Sequence, residues 1–276
     1  MSGLEGHVAF ITGAARGQGR AHAVRLAREG VDIIGIDICE DIESMGYPNA
    51  SEDDLAETVR LVEKEDRRMV ARKADVRNYG QVSDAFEEGL AEFGRVDIIL
   101  ANAGIVRMGS EPENFLDAWN DVIDTNLTGV YHTVRAALPA MRAGGRGGSI
   151  VITSSSAGLK GSAALSAGGN AYTAAKRGVV GLMQNFALEL ASEMIRVNTI
   201  HPTGVISGMT QNAAMEQMMA DAAAGGNNEI AGMQNALPIP ILEAEDIANA
   251  VAYLVSDQAK FITGIQWPLD AGFSVK

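Results

Sequence analysis

Thr12-Gly13-Ala14-Ala15-Arg16-Gly17-Gln18-Gly19 joins an apolar run, His7–Thr12 (HVAFIT), to a helix-forming run, Gly19–Glu29, that Gly30 ends. Glycines at such a junction allow a tight turn and let the backbone approach a pyrophosphate closely. A helix starting there offers free N–H groups and the positive end of its dipole to the same phosphate. Three spaced glycines alone say little. A strand before them and a helix after them give the loop its weight. The spacing G-x-x-x-G-x-G is not G-x-G-x-x-G, and no Lys-Ser/Thr pair follows as in nucleotide hydrolases.

The same alternation continues along the chain. Val31–Asp37, Met69–Asp75, Val96–Ala101, Ser149–Ser154, Arg196–His201 and Ile265–Leu269 read as further strands. Ser51–Glu65, with Ser51 as its cap, reads as a helix, as do Gln81–Phe93, Ala171–Ser192 and Glu245–Val255. Phe115–Met141 contains a long helix that ends near Gly144–Gly148. The strands are mostly apolar throughout, as in a parallel sheet covered on both faces. The expected fold is α/β, a single-domain doubly wound (Rossmann) parallel sheet of about seven strands with helices on both faces. No composition break suggests a linker, so residues 1–276 form one domain.

Composition narrows the function. The chain has 22 Lys+Arg against 35 Asp+Glu, a formal charge of −13. Such a chain repels nucleic acid and anionic lipid. A lone cysteine, Cys39, excludes an internal disulfide and a Cys-rich zinc site. His7, His22, His132 and His201 are scattered without metal-ligand spacing and read as structural or solvated. No signal peptide or apolar span stands out, so a cytoplasmic location is expected. The 31 glycines are more than usual for this length.

Asp37 ends the second strand, followed by Ile38. A carboxylate there accepts from the ribose hydroxyls of an adenosine and repels a 2′-phosphate, which favours NAD over NADP. Arg16 pulls the other way, because a guanidinium can pair with that phosphate. Asp37 outweighs it, since a phosphate dianion beside a carboxylate is costly. Asp75-Val76 after the third strand and Asn102-Ala103-Gly104 after the fourth face the same crevice.

Tyr172 and Lys176 are one helical turn apart and share a face. A tyrosine is a poor base near neutral pH unless positive charge stabilises its phenolate, and Lys176 supplies that charge. Ser154-Ser155-Ser156 follows the fifth strand and offers a hydroxyl to a substrate oxygen.

In this order the motifs resemble those of the short-chain dehydrogenase/reductase family, over essentially the whole chain. The resemblance covers Thr12–Gly19, Asp75, Asn102-Ala103-Gly104, Asn126 within Thr125–Gly129, Ser154-Ser155-Ser156-Ala157-Gly158, and Tyr172 with Lys176. It implies Tyr172 as general acid/base, Lys176 lowering its pKa and holding the nicotinamide ribose, and Ser155 orienting the substrate oxygen, with Ser154 and Ser156 as alternatives. It also implies that Asn126 kinks its helix and holds a water in a proton relay. Val205 would face the nicotinamide amide through its backbone, and Ser207 would touch the cofactor. Tetramers built on Phe115–Met141 and Ala171–Ser192 are a further implication.

Three departures stand out. Lys160–Asn170 (KGSAALSAGGN) lengthens the path from Ser155 to Tyr172. His201-Pro202-Thr203-Gly204-Val205 replaces the usual Pro-Gly, which puts the local turn in question. Ile38–Asp54 adds a polar loop after the second strand. Together with Leu55–Val59 and Asp270-Ala271-Gly272, these features resemble the mycofactocin-coupled, carveol dehydrogenase-like subgroup. That resemblance implies a tightly held NAD reoxidised in place by a peptide-derived redox carrier. The added loop would cover the adenosine end.

The stretch Gly208–Asn235 holds Met209, Met215, Met218, Met219 and Met233, with Gly225-Gly226 as a hinge. These methionines either fill core or line a substrate lid for a small apolar alcohol or ketone. The reading is an NAD-dependent alcohol dehydrogenase. An NADPH-linked carbonyl or ketoacyl reductase is the alternative enzyme, and a non-catalytic dinucleotide sensor is the rival from another class.

Overall fold

Seven strands build one sheet in the computed structural model, which describes residues 3–107, 113–161, 166–213, 215–217, 220 and 234–276. They are β1 (Val8–Thr12), β2 (Asp32–Asp37), β3 (Met69–Lys73), β4 (Ile98–Ala101), β5 (Gly148–Thr153), β6 (Ile195–Pro202) and β7 (Gln266–Leu269). The order across the sheet is β3-β2-β1-β4-β5-β6-β7, and every neighbouring pair is parallel. This is the expected doubly wound α/β architecture, with its order reversing between β1 and β4.

Alternate side chains explain why the strands are apolar throughout. Phe10, Ile34, Ile36, Ile99 and Ile150 point to one face. They pack there on α3 (Tyr79–Phe93), α5 (Gly129–Gly144) and α6 (Ala167–Leu190) through Phe86, Val134 and Met183. Ala9, Ile11, Ile33, Leu100 and Val151 point to the other face. They meet α1 (Gly17–Ala27), α2 (Glu52–Glu63) and α7 (Ala244–Val255) through Leu26, Leu55 and Ile247. Both faces are removed from water, which is what an all-parallel sheet requires.

Local signals set the helix ends. Ser51 accepts from the Asp54 N–H, and Asp54 returns a bond to the Ser51 N–H, so the expected cap is a full capping box. Gly145, in the left-handed region, stops α5 where the glycine cluster predicts.

Two elements refine the expectation. The stretch expected to contain one long helix divides into α4 (Phe115–Ile123), one π-helical turn, Asp124–Thr128, and α5. Asn126 sits in that turn. A π-turn inside a helix re-aims the side chains that follow it. Helix α6 starts at Ala167 rather than Ala171, because Ser166 caps it by accepting from the Gly169 N–H. Gly168 is pressed against Arg107 so closely that a Cβ would sit 2.5 Å from the Arg107 Cβ. Its smallness serves packing here, and part of the expected Lys160–Asn170 loop is helix.

Candidate active site

A cleft open to solvent runs along the carboxyl ends of β1, β2 and β4. Gly13, Gly17, Gln18 and Gly19 of the glycine loop line it, with Ala103 opposite. Gly13 has φ +67°, and a Cβ there would come 2.9 Å from the Ala103 Cα. A Cβ at Gly19 would overlap the Gly13 carbonyl oxygen. Only glycine allows this loop to close on itself and leave the helix end of α1 facing the cleft. Asn102 braces the arrangement. Its Nδ2 donates to the Thr12 carbonyl at 3.1 Å, and its Oδ1 accepts from Thr153 Oγ1 at 3.4 Å. It thus ties the ends of β1, β4 and β5 together.

Asp37 is buried at the end of β2. One carboxylate oxygen accepts from the Ala15 N–H at 3.0 Å and the other from the Cys39 N–H at 3.3 Å. Burial pushes its pKa up, and these N–H groups pull against that. A second anion beside it would be strongly disfavoured. Arg16 lines the cleft, donates one bond to the Pro48 carbonyl at 2.7 Å and packs over Gly208, and its charge favours the ionised form of Asp37. Cys39, at φ +46°, is buried, and its thiol is pushed up to about 12 by burial, which makes it inert.

Ile38–Asp54 keeps Glu40, Asp41 and Glu43 exposed, as a polar loop does, and runs into α2 at Glu52. Its apolar residues turn inward, because the cleft supplies an apolar wall for them. Ile42 and Met45 are buried with Ile105, Val122 and Ala171, and Ile38, Tyr47 and Tyr172 pack against this cluster. Several bonds hold the loop down, three of them at the cleft. Arg16 holds Pro48. The Val106 N–H donates to Tyr47 Oη at 3.1 Å, and Ser44 Oγ donates to Asp121 at 2.6 Å. Asp121 also pairs with Arg77, which pairs with Asp75 at the cleft wall. The Val76 carbonyl next to it meets His132 Nδ1 at 2.9 Å.

The serine triplet separates into roles. Ser154 is buried and donates to the Lys176 carbonyl at 2.8 Å. Ser156 is buried in a short 3-10 turn. Ser155 is half-buried. Its Oγ accepts from the Ala157 N–H at 3.2 Å. Burial raises the Tyr172 pKa, and the neighbouring Ser155 side chain opposes that rise. Lys176 is buried, and its Nζ donates to the Thr153 carbonyl at 2.8 Å. Burial pushes it down to about 7. Its Nζ lies 5.5 Å from the centre of the Tyr172 ring.

Asn126 is fully buried, and its side chain is already engaged. Nδ2 donates to the Ile105 and Val122 carbonyls, both at 2.8 Å, and Oδ1 accepts from the Ile105 N–H at 3.2 Å. The amide fixes the helix break and spends both its protons on backbone. Gly104 connects the two halves of the site. A Cβ there would come 2.7 Å from Asn126 Oδ1 and 3.4 Å from Lys176 Nζ.

After β6, Leu242 N–H donates to the Gly204 carbonyl at 2.9 Å, so Thr203 leaves an ordered turn despite replacing glycine. Val205 is buried, and its carbonyl accepts from Thr210 Oγ1 at 2.6 Å. Ser207 lies against Gly17 and lines the cleft. Most of the methionine-rich stretch, with Met218, Met219, Met233 and Gly225-Gly226, falls outside the described residues. Thr125 was not singled out from the sequence. Its Oγ1 is buried at the cleft without a partner among the described residues.

The model of the short chain dehydrogenase family matches residues 7–218. The chain belongs to the short-chain dehydrogenase family. It is an oxidoreductase. A (−)-trans-carveol dehydrogenase of Rhodococcus erythropolis is 45% identical over 281 residues, covering 100% of both chains. An uncharacterised oxidoreductase of Mycobacterium tuberculosis is 52% identical over 270 residues, 98% of this chain and 97% of that one. A crystal structure of a carveol dehydrogenase from Mycobacterium avium in complex with NAD superposes with a TM-score of 0.91 at 46% identity, covering 100% of both chains. A short-chain dehydrogenase needs a dinucleotide, and this cleft fits one. Its glycine cradle has no room for a Cβ, and its buried Thr125 hydroxyl still needs a partner. Among the described residues no group of His, Cys, Asp and Glu could hold a metal, and no helix is long and apolar enough to cross a membrane.

Proposed function

We propose that this short-chain dehydrogenase oxidises a small apolar secondary alcohol, monocyclic and carveol-like, with NAD as cofactor. The observation that carries the reading is buried Lys176, with its Nζ 5.5 Å from the centre of the Tyr172 ring, and Ser155 as the neighbour that lowers the Tyr172 pKa. Bound NAD supplies the hydride acceptor. Asp37 would hold the adenosine ribose, the glycine loop the pyrophosphate, and Lys176 the nicotinamide ribose. Ser155 holds the substrate oxygen as charge develops on it, and Tyr172 takes the hydroxyl proton. Lys176 keeps positive charge near the phenolate so formed. Asn126 maintains the helix break and the position of the Ile105 backbone beneath the site.

The substrate class rests on the carveol-acting relative. Replacing Tyr172 by Phe tests the mechanism. Retained nucleotide with lost alcohol oxidation is expected, and full activity would overturn it.

NAD is held tightly in this reading. The Ile38–Asp54 loop is fastened at Pro48, Tyr47 and Ser44 and packs its apolar side over the cleft. A peptide-derived redox carrier of the mycofactocin type would then reoxidise the cofactor in place. Purified protein that carries NAD through dialysis, and reduces it once on addition of carveol, supports this. Protein free of nucleotide that turns over with added NAD refutes it. The chain acts as one domain, with 208–235 as the substrate lid, in the cytoplasm. Exposed Leu116 and Trp119 on α4, Tyr131 on α5 and Leu188 on α6 support a homotetramer built on these helices.

A further inference from the structure

His201 lies on β6, but its ring reaches the segment beyond β5. Nδ1 is 2.9 Å from the Ser155 carbonyl oxygen, and Nε2 is 2.9 Å from Thr199 Oγ1. The residue has no exposed surface. A carbonyl oxygen only accepts, so Nδ1 carries the proton and Nε2 is the acceptor of the neutral ring. The Thr199 hydroxyl then donates to Nε2. Burial lowers the pKa of the ring, with the Lys176 charge adding to this and the Ser155 carbonyl and Asp270 pulling the other way.

The last sheet bond between these strands runs from the Ser154 N–H to the Ile200 carbonyl at 2.9 Å. Beyond it the chains separate. The Ser155 carbonyl then has the Gly158 N–H, at 2.8 Å, and the imidazole. His201 extends the pairing of β5 and β6 by one bond, made with a side chain instead of a main chain. A residue that merely filled this space would be apolar, because burying an imidazole costs free energy unless both nitrogens are matched. Both are matched here, and one of them is matched to the residue that bears the substrate-facing hydroxyl.

We propose that His201 is a positioning residue for Ser155. Its Nδ1–H holds the Ser155 carbonyl, and so keeps the Ser155 hydroxyl aimed at the reacting oxygen. This rests on the role given to Ser155 above. Small displacements of a group that meets the reacting atom cost rate more than they cost binding.

The test is single-turnover reduction of NAD in the NAD-loaded protein, followed by NADH absorbance after rapid mixing with carveol. His201→Asn keeps an N–H near the Nδ1 position, His201→Leu has similar size and no donor, and Ser155→Ala serves as reference. His201→Leu is expected to lower the rate at saturating carveol by on the order of tenfold. The half-saturating concentration and the bound NAD stay near their parent values, and His201→Asn recovers most of the rate. Equal slowing by Asn and Leu would mean a packing role and overturn the inference. Parent-like rates in His201→Leu, with Ser155→Ala slow, would overturn it and leave Ser155 standing. A fast Ser155→Ala would remove the role of Ser155 itself and the inference with it. If His201→Leu does not fold, His201→Gln takes its place, since its longer side chain cannot put an N–H at the Nδ1 position.

Discussion

The Ser154 hydroxyl donates to the backbone carbonyl of Lys176 at 2.8 Å, tying the end of β5 to the middle of α6. That bond commits Ser154 to structure and leaves Ser155 to face Tyr172. Ser155→Ala is therefore expected to lower the rate of alcohol oxidation by about 10²- to 10³-fold, as for loss of one donor to a developing oxyanion. Ser154→Ala should cost about 1 kcal/mol of stability and much less rate. Steady-state kinetics and denaturant titration on both variants check the division.

Asp37 is expected to set cofactor choice. Each of its oxygens already accepts one backbone N–H, which fixes the carboxylate at the cleft. Asp37→Ser should weaken NAD binding by about 1–3 kcal/mol through loss of charge-assisted bonds, and raise affinity for NADP. With Asp37 in place, Arg16 alone is not expected to produce NADP preference, because the carboxylate repels the 2′-phosphate. Competitive binding of the two nucleotides reads this directly.

Asn126 makes three side-chain hydrogen bonds in a site without water access. Asn126→Leu keeps the volume but strands two carbonyls and an N–H. A loss of about 2–4 kcal/mol is expected from those groups. Urea unfolding measures it. Activity should fall as well, since Gly104 packs closely against that amide and against Lys176 Nζ.

His22, inside α1, is buried with neither ring nitrogen bonded among the described residues, and burial pushes its pKa down from 6.5 to about 4. Above pH 6.5 the ring is neutral in both folded and unfolded chains and has no effect on pH dependence. Below it the unfolded chain binds the proton and the folded chain does not. Stability therefore falls as pH drops from 6.5 towards 4, by about 3 kcal/mol in all. Lys176, held near 7, is charged in both states over most of that range and adds little slope there. His201, also lowered by burial, adds to the fall in the same direction. His22→Leu should remove its share of the slope in urea titrations at pH 7 and 5.

The sequence by itself determined the frame of this protein. Strand and helix periods are local, so the seven strands, the glycine loop and the shared face of Tyr172 and Lys176 could be read from spacing alone. Asp37 could be placed because a strand end in a doubly wound sheet has one address. Only the tertiary structure decided what depends on residues far apart in the chain. Ser155 is distinguished from its neighbours by what Lys176 and Tyr172 take up. Arg16 is claimed by a carbonyl of the added loop, and that loop turns apolar residues inward because a wall awaits them. His201 looked like a scattered histidine until β6 was laid beside β5. A hydrogen bond between distant segments leaves no period in the sequence, and it exists only once packing has brought its two ends together.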